Sequence, residues 1–134
     1  MKLIFCIDDK NGMMFFGKRQ SQDSVLREWI IGYTTGSKLW MSNYSAKQFK
    51  DLTGYTADDD YQTKAAVGDY CFVEDKGYSL EKASEVILCK WNRKYQADKF
   101  FDVDLKTKGF KKVSSEDIKG SSHDKITIET YKKG

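Results

Sequence analysis

The chain has 134 residues, a net charge of +3 from 23 Lys and Arg against 20 Asp and Glu, and 40% apolar residues. That length suits one domain with one core, and so mild and mixed a charge makes no case for nucleic acid, although that partner class stays open. No apolar run approaches the ~18 residues of a membrane span, so a membrane is excluded as a partner.

The start of the chain lacks the basic region and long apolar core of a signal peptide. Cys6, Cys71 and Cys89 are widely spaced within or beside apolar runs. They read as reduced core thiols of a cytoplasmic protein. One histidine and no Cys-x-x-Cys pair argue against a zinc site, and no metal is expected.

Leu3 to Ile7 (LIFCI) is apolar on both faces, as in a strand covered on both sides. Asp8 and Asp9 end it as turn-capping acids, and Asn11-Gly12 supplies a turn that tolerates positive φ. Met13 to Phe16 show no clear period. Val25, Leu26, Trp29, Ile30 and Tyr33 then fall on one helical face. Ser21 is a plausible N-cap, and Asp23 sits at the cap or in the first turn, where the helix dipole favours a carboxylate. Gly32 and Gly36 bracket the exit.

Lys38 to Met41 predicts a second strand, and Ser45 the N-cap of a helix over Ala46 to Leu52. The free N–H groups of that helix start make an anion site in principle. Thr56 to Asp60 predicts another helix start, with the helix running from Tyr61 to Ala66. Asp69 to Glu74 is a third strand, turned by residues 75–77, and Ser79 to Ala83 one helical turn. Glu85 to Trp91 is a β-rich strand. Trp91 belongs in the core, with Asn92, Arg93 and Lys94 in water. Lys108 to Val113 and Lys125 to Tyr131 close the chain as strands, and His123 falls in a polar turn as a surface residue. Helices separate the early strands and not the late ones. That order implies an α/β fold with a mainly parallel central sheet, flanking helices and a C-terminal antiparallel hairpin, in a single domain.

Ala97 to Phe101, Val113 to Glu116 and Ile126 to Tyr131 together resemble the C-terminal half of dihydrofolate reductases. In the N-terminal half, Leu3 to Ile7 looks like that family's first central strand and Asn11-Gly12 like its catalytic loop. Gln22-Asp23 looks like the start of the helix bearing its single acid, and Leu39 to Met41 like the strand before its cofactor-phosphate helix. The resemblance implies a dihydrofolate reductase-like fold and hydride transfer from NADPH to a pterin, with Asp23 as the catalytic acid.

The chain also departs from that pattern. Ser42 to Ser45 stands where the family's phosphate-gripping segment carries an arginine, acidic Glu74 and Asp75 stand where a diphosphate would approach, and one helix fills Gly54 to Asp69. The expected NADPH motifs are therefore degraded, and the cofactor is left unassigned. The resemblance implies a trimmed relative of the fold that binds a nucleotide- or pterin-like small molecule, its reductase activity lost or altered. An active NADPH-dependent reductase and a protein- or RNA-binding module are the alternatives.

The expected ligand-binding residues are Asp8, Asn11, Gly12, Met13, Met14, Trp40, Asn43 and Ser45, joined by Arg19. Arg19 and Lys18, beside Phe15, Phe16 and Trp40, suit either a solvated loop over a core aromatic cluster, the commoner outcome for exposed charges, or a basic, aromatic groove for a base or nucleotide. Cys6 to Phe15, Arg19 to Asp23 and Leu39 to Met41 also look like small clostridial-type proteins labelled ribonuclease Z. The two-zinc chemistry of the true ribonuclease needs a histidine cluster that a lone His123 does not supply. The oligomeric state is left open.

Overall fold

A computed structural model describes residues 1–75 and 77–134. Strand β1 (Lys2–Ile7) lies mid-sheet, as its two apolar faces predict. A second sheet follows at once, in which β2 (Gly12–Phe15) pairs antiparallel with β3 (Lys18–Arg19). After helix α1 (Ser24–Tyr33) come β4 (Leu39–Met41), the one-turn helix α2 (Asn43–Ala46), β5 (Thr56–Ala57), the short helix α3 (Tyr61–Lys64) and β6 (Tyr70–Val73). The rest is β7 (Glu85–Lys90), β8 (Lys99–Phe100), β9 (Phe110–Ile118) and β10 (Ile126–Lys133).

The main sheet has the order β5-β4-β6-β1-β7-β10-β9. It is parallel from β5 to β7, and β10 and β9 close it as the expected antiparallel hairpin. From β1 the chain crosses to β4 and returns through β6 on one side, then continues through β7 on the other. The topological switch therefore lies beside β1, where open α/β sheets place ligands at the carboxyl ends of the strands.

Side chains alternate between two apolar layers, as the strand period of two requires. Ile4, Tyr70, Phe72, Ile87 and Cys89 face Leu26 and Ile30 of α1, together with Phe49. Leu3, Phe5, Val73, Val86 and Leu88 face the other way, onto Met13, Met14, Tyr61, Phe101, Leu105 and Phe110. One layer is thus roofed by a helix. The other is roofed largely by the small sheet, order β3-β2-β8, and by the segment leading to β9.

Several local expectations shift. The periodless Met13 to Phe16 becomes β2 and the tip of its hairpin, because β8 from the far end of the chain supplies its second neighbour. Ser42 rather than Ser45 caps α2, accepting from Ser45 N–H at 3.1 Å, and the helix gives way to a 3₁₀ turn over Lys47–Phe49. Thr56–Ala57 is a strand beside β4 instead of a helix start. Residues 79–83 form a turn without helix, with Ala83 N–H donating to Leu80 O. The turn expected at 75–77 includes Lys76, which lies outside the described residues. Cys6, Cys71 and Cys89 are free thiols. Among the described residues, no helix is long and apolar enough to cross a membrane.

Candidate functional site

Asp23 is the N-cap of α1 and is only 2% exposed. Its Oδ1 accepts from Val25 N–H at 3.0 Å, Leu26 N–H at 3.2 Å and Ser121 N–H at 3.0 Å. Its Oδ2 accepts from Ser122 N–H at 2.8 Å and faces His123 Nδ1 at 3.0 Å. The Ser121 and Ser122 hydroxyls reach the same two oxygens. Burial pushes the Asp23 carboxyl up, but the bonds from Ser121, Ser122, His123 and Leu26 outweigh it and hold the group well below the usual carboxylate range. The hollow beside it, walled by Leu26, Ile30, Phe49, Phe72 and Trp91, amounts to about 10 Å³. A water needs about that much room and a pterin ring far more.

His123 is the principal departure from expectation. It is 3% exposed rather than at the surface. Its ring stacks on Trp91 with centroids 4.5 Å apart, and its Nε2 lies 2.9 Å from the Tyr95 hydroxyl and 3.2 Å from Ser21 Oγ. The residue sits on the loop before β10, and nothing local in the sequence announces that this loop folds over the start of α1.

An open groove of about 520 Å³ lies between the β2–β3 hairpin and the loop that follows β7, next to the loop that follows β1. Phe15, Lys18, Arg19 and Gln20 form one wall, and Lys94, Tyr95 and Gln96 the other. Asp8 ties the walls together. It is buried, and it accepts from Lys10 and Gly12 N–H at 2.8 and 2.7 Å, Gln20 Nε2 at 3.0 Å and Tyr95 N–H at 3.1 Å. Burial raises the Asp8 carboxyl, and these bonds lower it further, to a net value below the ordinary one. Asp9 N–H donates to Arg93 O at 2.9 Å, a second staple between the same loops.

The groove is basic. Neither Lys18 nor Lys94 has an acidic partner among the described residues. Lys94 also lies beside Lys10, and its side-chain hydrogen bond and then its positive charge push Lys10 down from the ordinary lysine value. Gln20 uses Nε2 on Asp8 and on Gln96 O, while its Oε1 is buried without a partner among the described residues. Such an orphan acceptor is costly unless a donor meets it.

The expected ligand-binding set is dispersed around this arrangement. Of its members Arg19 alone lines the groove, and its guanidinium is bidentate to Glu74 at 2.9 and 3.2 Å while stacking over Tyr44. Glu74, expected to repel an anion, is thereby paired. Gly12 packs tightly, since a Cβ there would lie 2.7 Å from Ala97 Cβ and 2.6 Å from Gln20 Nε2. Asn11 (φ 64°) turns the chain and lines a different hollow, beside Lys90 and Phe101. Met13 and Met14 are core residues. Trp40 is buried, its Nε1–H donating to Asp69 at the amino end of β6, at 3.0 Å. Asn43 is exposed, and Ser45 is buried inside the one-turn α2 rather than capping a helix. Lys94, read as solvated, completes the site together with Tyr95 and Gln96. The signal for them was positional: they follow the carboxyl end of a strand that neighbours β1.

No protein-family model matches this chain, and no curated protein sequence does. Among solved structures it is similar to a dihydrofolate reductase from Enterococcus faecalis, solved in complex with NADP(H) and RAB-propyl. The two share 13% identity with a TM-score of 0.69, over 99% of this chain and 95% of that one. The fold is dihydrofolate reductase-like.

Proposed function

We propose that this chain binds a small anionic, ring-bearing molecule of the nucleotide class in the groove between residues 15–20 and 94–96, and that pterin reduction through Asp23 has been lost. The observation that carries the reading is the contrast between the two hollows. The one beside Asp23 has room for about one water, and the one between the two loops has about 520 Å³. Small-ligand sites start at roughly 300 Å³.

The chemistry of the groove supports the ligand class. Phe15 and Tyr95 offer faces for a planar ring. Lys18 and Lys94 attract phosphate, and Lys10 adds to that field. The neighbouring Enterococcus enzyme was solved with NADP(H), which makes NADPH one of the nucleotides to test.

Thermal melts of the full chain with millimolar AMP, ATP, NADPH and inorganic phosphate test the proposal. At one hundred times Kd a ligand adds about 2.7 kcal/mol, a rise of several degrees in Tm. We expect at least one nucleotide to give that rise and Lys94→Glu to abolish it. No rise with any of them, or a rise that Lys94→Glu leaves intact, overturns the site.

A further inference from the structure

Three side chains from distant parts of the chain form one hydrogen-bonded line. Ser21 Oγ lies 3.2 Å from His123 Nε2, and His123 Nδ1 lies 3.0 Å from Asp23 Oδ2. We infer that Ser21, His123 and Asp23 form a nucleophile, base and orienting group that hydrolyse small carboxylic esters carrying a negative charge.

The proton positions follow from the neighbours. Nδ1 faces the Asp23 carboxylate, and the adjacent Ser122 hydroxyl has Gln22 O and Asp23 Oδ2 to donate to. Nδ1 therefore carries the hydrogen, and Nε2 is left as a bare acceptor turned toward two hydroxyls, Ser21 and Tyr95. A nucleophile within reach of a base, with the base oriented by a third group, is the arrangement that activates a serine. The Trp91 ring stacked on the imidazole fixes its plane.

The line ends at the edge of the basic groove. Ser21 is partly exposed; it lines the hollow of about 10 Å³ beside Asp23 and directly follows Gln20, a groove residue. The Tyr95 hydroxyl is 3.4 Å from Ser21 Oγ and 2.9 Å from Nε2, while its ring lines the groove. It is a donor within reach of an oxyanion forming on a carbonyl attacked by Ser21. Lys18 and Lys94 select a substrate with a carboxylate or phosphate on its acyl or alcohol part.

In the first step Ser21 Oγ bonds to the carbonyl carbon and its proton passes to His123 Nε2. The ester C–O bond then breaks, and the alcohol leaves with that proton. Water next gives a proton to Nε2 and attacks the acyl carbon. Ser21 Oγ departs, recovers the proton, and the acid is released. Nothing is oxidised or reduced, and water is the sole co-reactant.

Intact-mass analysis after treatment with a fluorophosphonate tests the inference without depending on nucleotide binding. The reagent bonds phosphorus to Oγ as fluoride leaves. We expect one adduct per chain, mapped to Ser21, absent in Ser21→Ala and in urea-unfolded wild-type protein. His123→Gln, its fold checked by circular dichroism, should label at least 100-fold more slowly. A folded wild-type chain without adduct at Ser21, or one labelled no faster than the unfolded chain, overturns the triad. A p-nitrophenyl ester bearing a free carboxylate should be cleaved about tenfold faster than p-nitrophenyl acetate, and Lys94→Glu should remove that advantage. Equal rates for the two esters in the wild type overturn the substrate class.

Discussion

His123 Nδ1 lies 3.0 Å from Asp23 Oδ2, and a hundred positions of sequence separate the two residues. The contact fastens the loop before β10 to the start of α1, with both side chains shut away from water. It makes the stability of the fold sensitive to acid. The Asp23 carboxyl is held below its ordinary value in the folded chain, so the unfolded chain takes up the proton first. Stability from this group is complete above the unfolded value of about 3.9 and is lost as pH falls below it. Asp8 and Glu129, also held low in the folded chain, act in the same direction. Urea midpoints measured from pH 7 to pH 2 should fall mainly below about pH 4. Asp23→Asn should cost about 3 kcal/mol at pH 7 and flatten that fall.

Gly120 has no room for a side chain. A methyl group there would overlap Asp23 Oδ2 and sit 3.0 Å from His123 O. Gly120→Ala should therefore destabilise the chain by about 1–3 kcal/mol through overpacking. The same substitution should also slow fluorophosphonate labelling, because it moves the group that orients the imidazole.

Phe16 stands at the tip of the β2–β3 hairpin with φ 50° and 78% exposure, followed by Gly17 at φ 70°. Positive φ at both positions of a two-residue loop is the type I′ pattern, which favours Asn-Gly. A bulky residue in that conformation is strained. Phe16→Asn should raise stability by about 1 kcal/mol, read as a higher Tm with an unchanged far-ultraviolet spectrum. No gain would show that the stacking of Phe16 on Phe15, with centroids 4.2 Å apart, offsets the strain.

Arg19 and Glu74 are both largely buried and bidentate. Removing one partner strands the other charge, so Arg19→Ala should cost about 3 kcal/mol. Arg19→Ala combined with Glu74→Ala should cost less than the sum of the two single changes by about 1–2 kcal/mol in a double-mutant cycle. Arg19→Ala alone should also weaken nucleotide binding, because Glu74 is then left unneutralised near the groove.

The sheet was legible wherever a strand reads by its own composition. LIFCI is apolar on both faces because β6 and β7 flank it and layers cover both sides. Ile126 and Ile128 alternate with Thr127 because one face of β10 is buried. Met13 and Met14 gave no period because adjacent residues there are both buried, and the partner that completes their sheet lies some 85 positions on. Ser42 and Ser45 are both cap-forming residues, and composition does not choose between them. The histidine was misplaced for a similar reason. Gly120 to Asp124 is polar enough for a surface turn, and Ser121, Ser122 and Asp124 are indeed exposed; His123 turns inward, where Asp23, Tyr95, Ser21 and the Trp91 ring receive it.

The placement of β1 has a consequence for biosynthesis. It is translated well before its neighbours, which are residues 70–73 on one side and 85–90 on the other. Until those emerge from the ribosome, a strand of Leu, Ile and Phe has no lawful mate and two bare edges. The nascent chain therefore carries an unpaired apolar strand through that interval, and the centre of the sheet assembles only once residue 90 has been made.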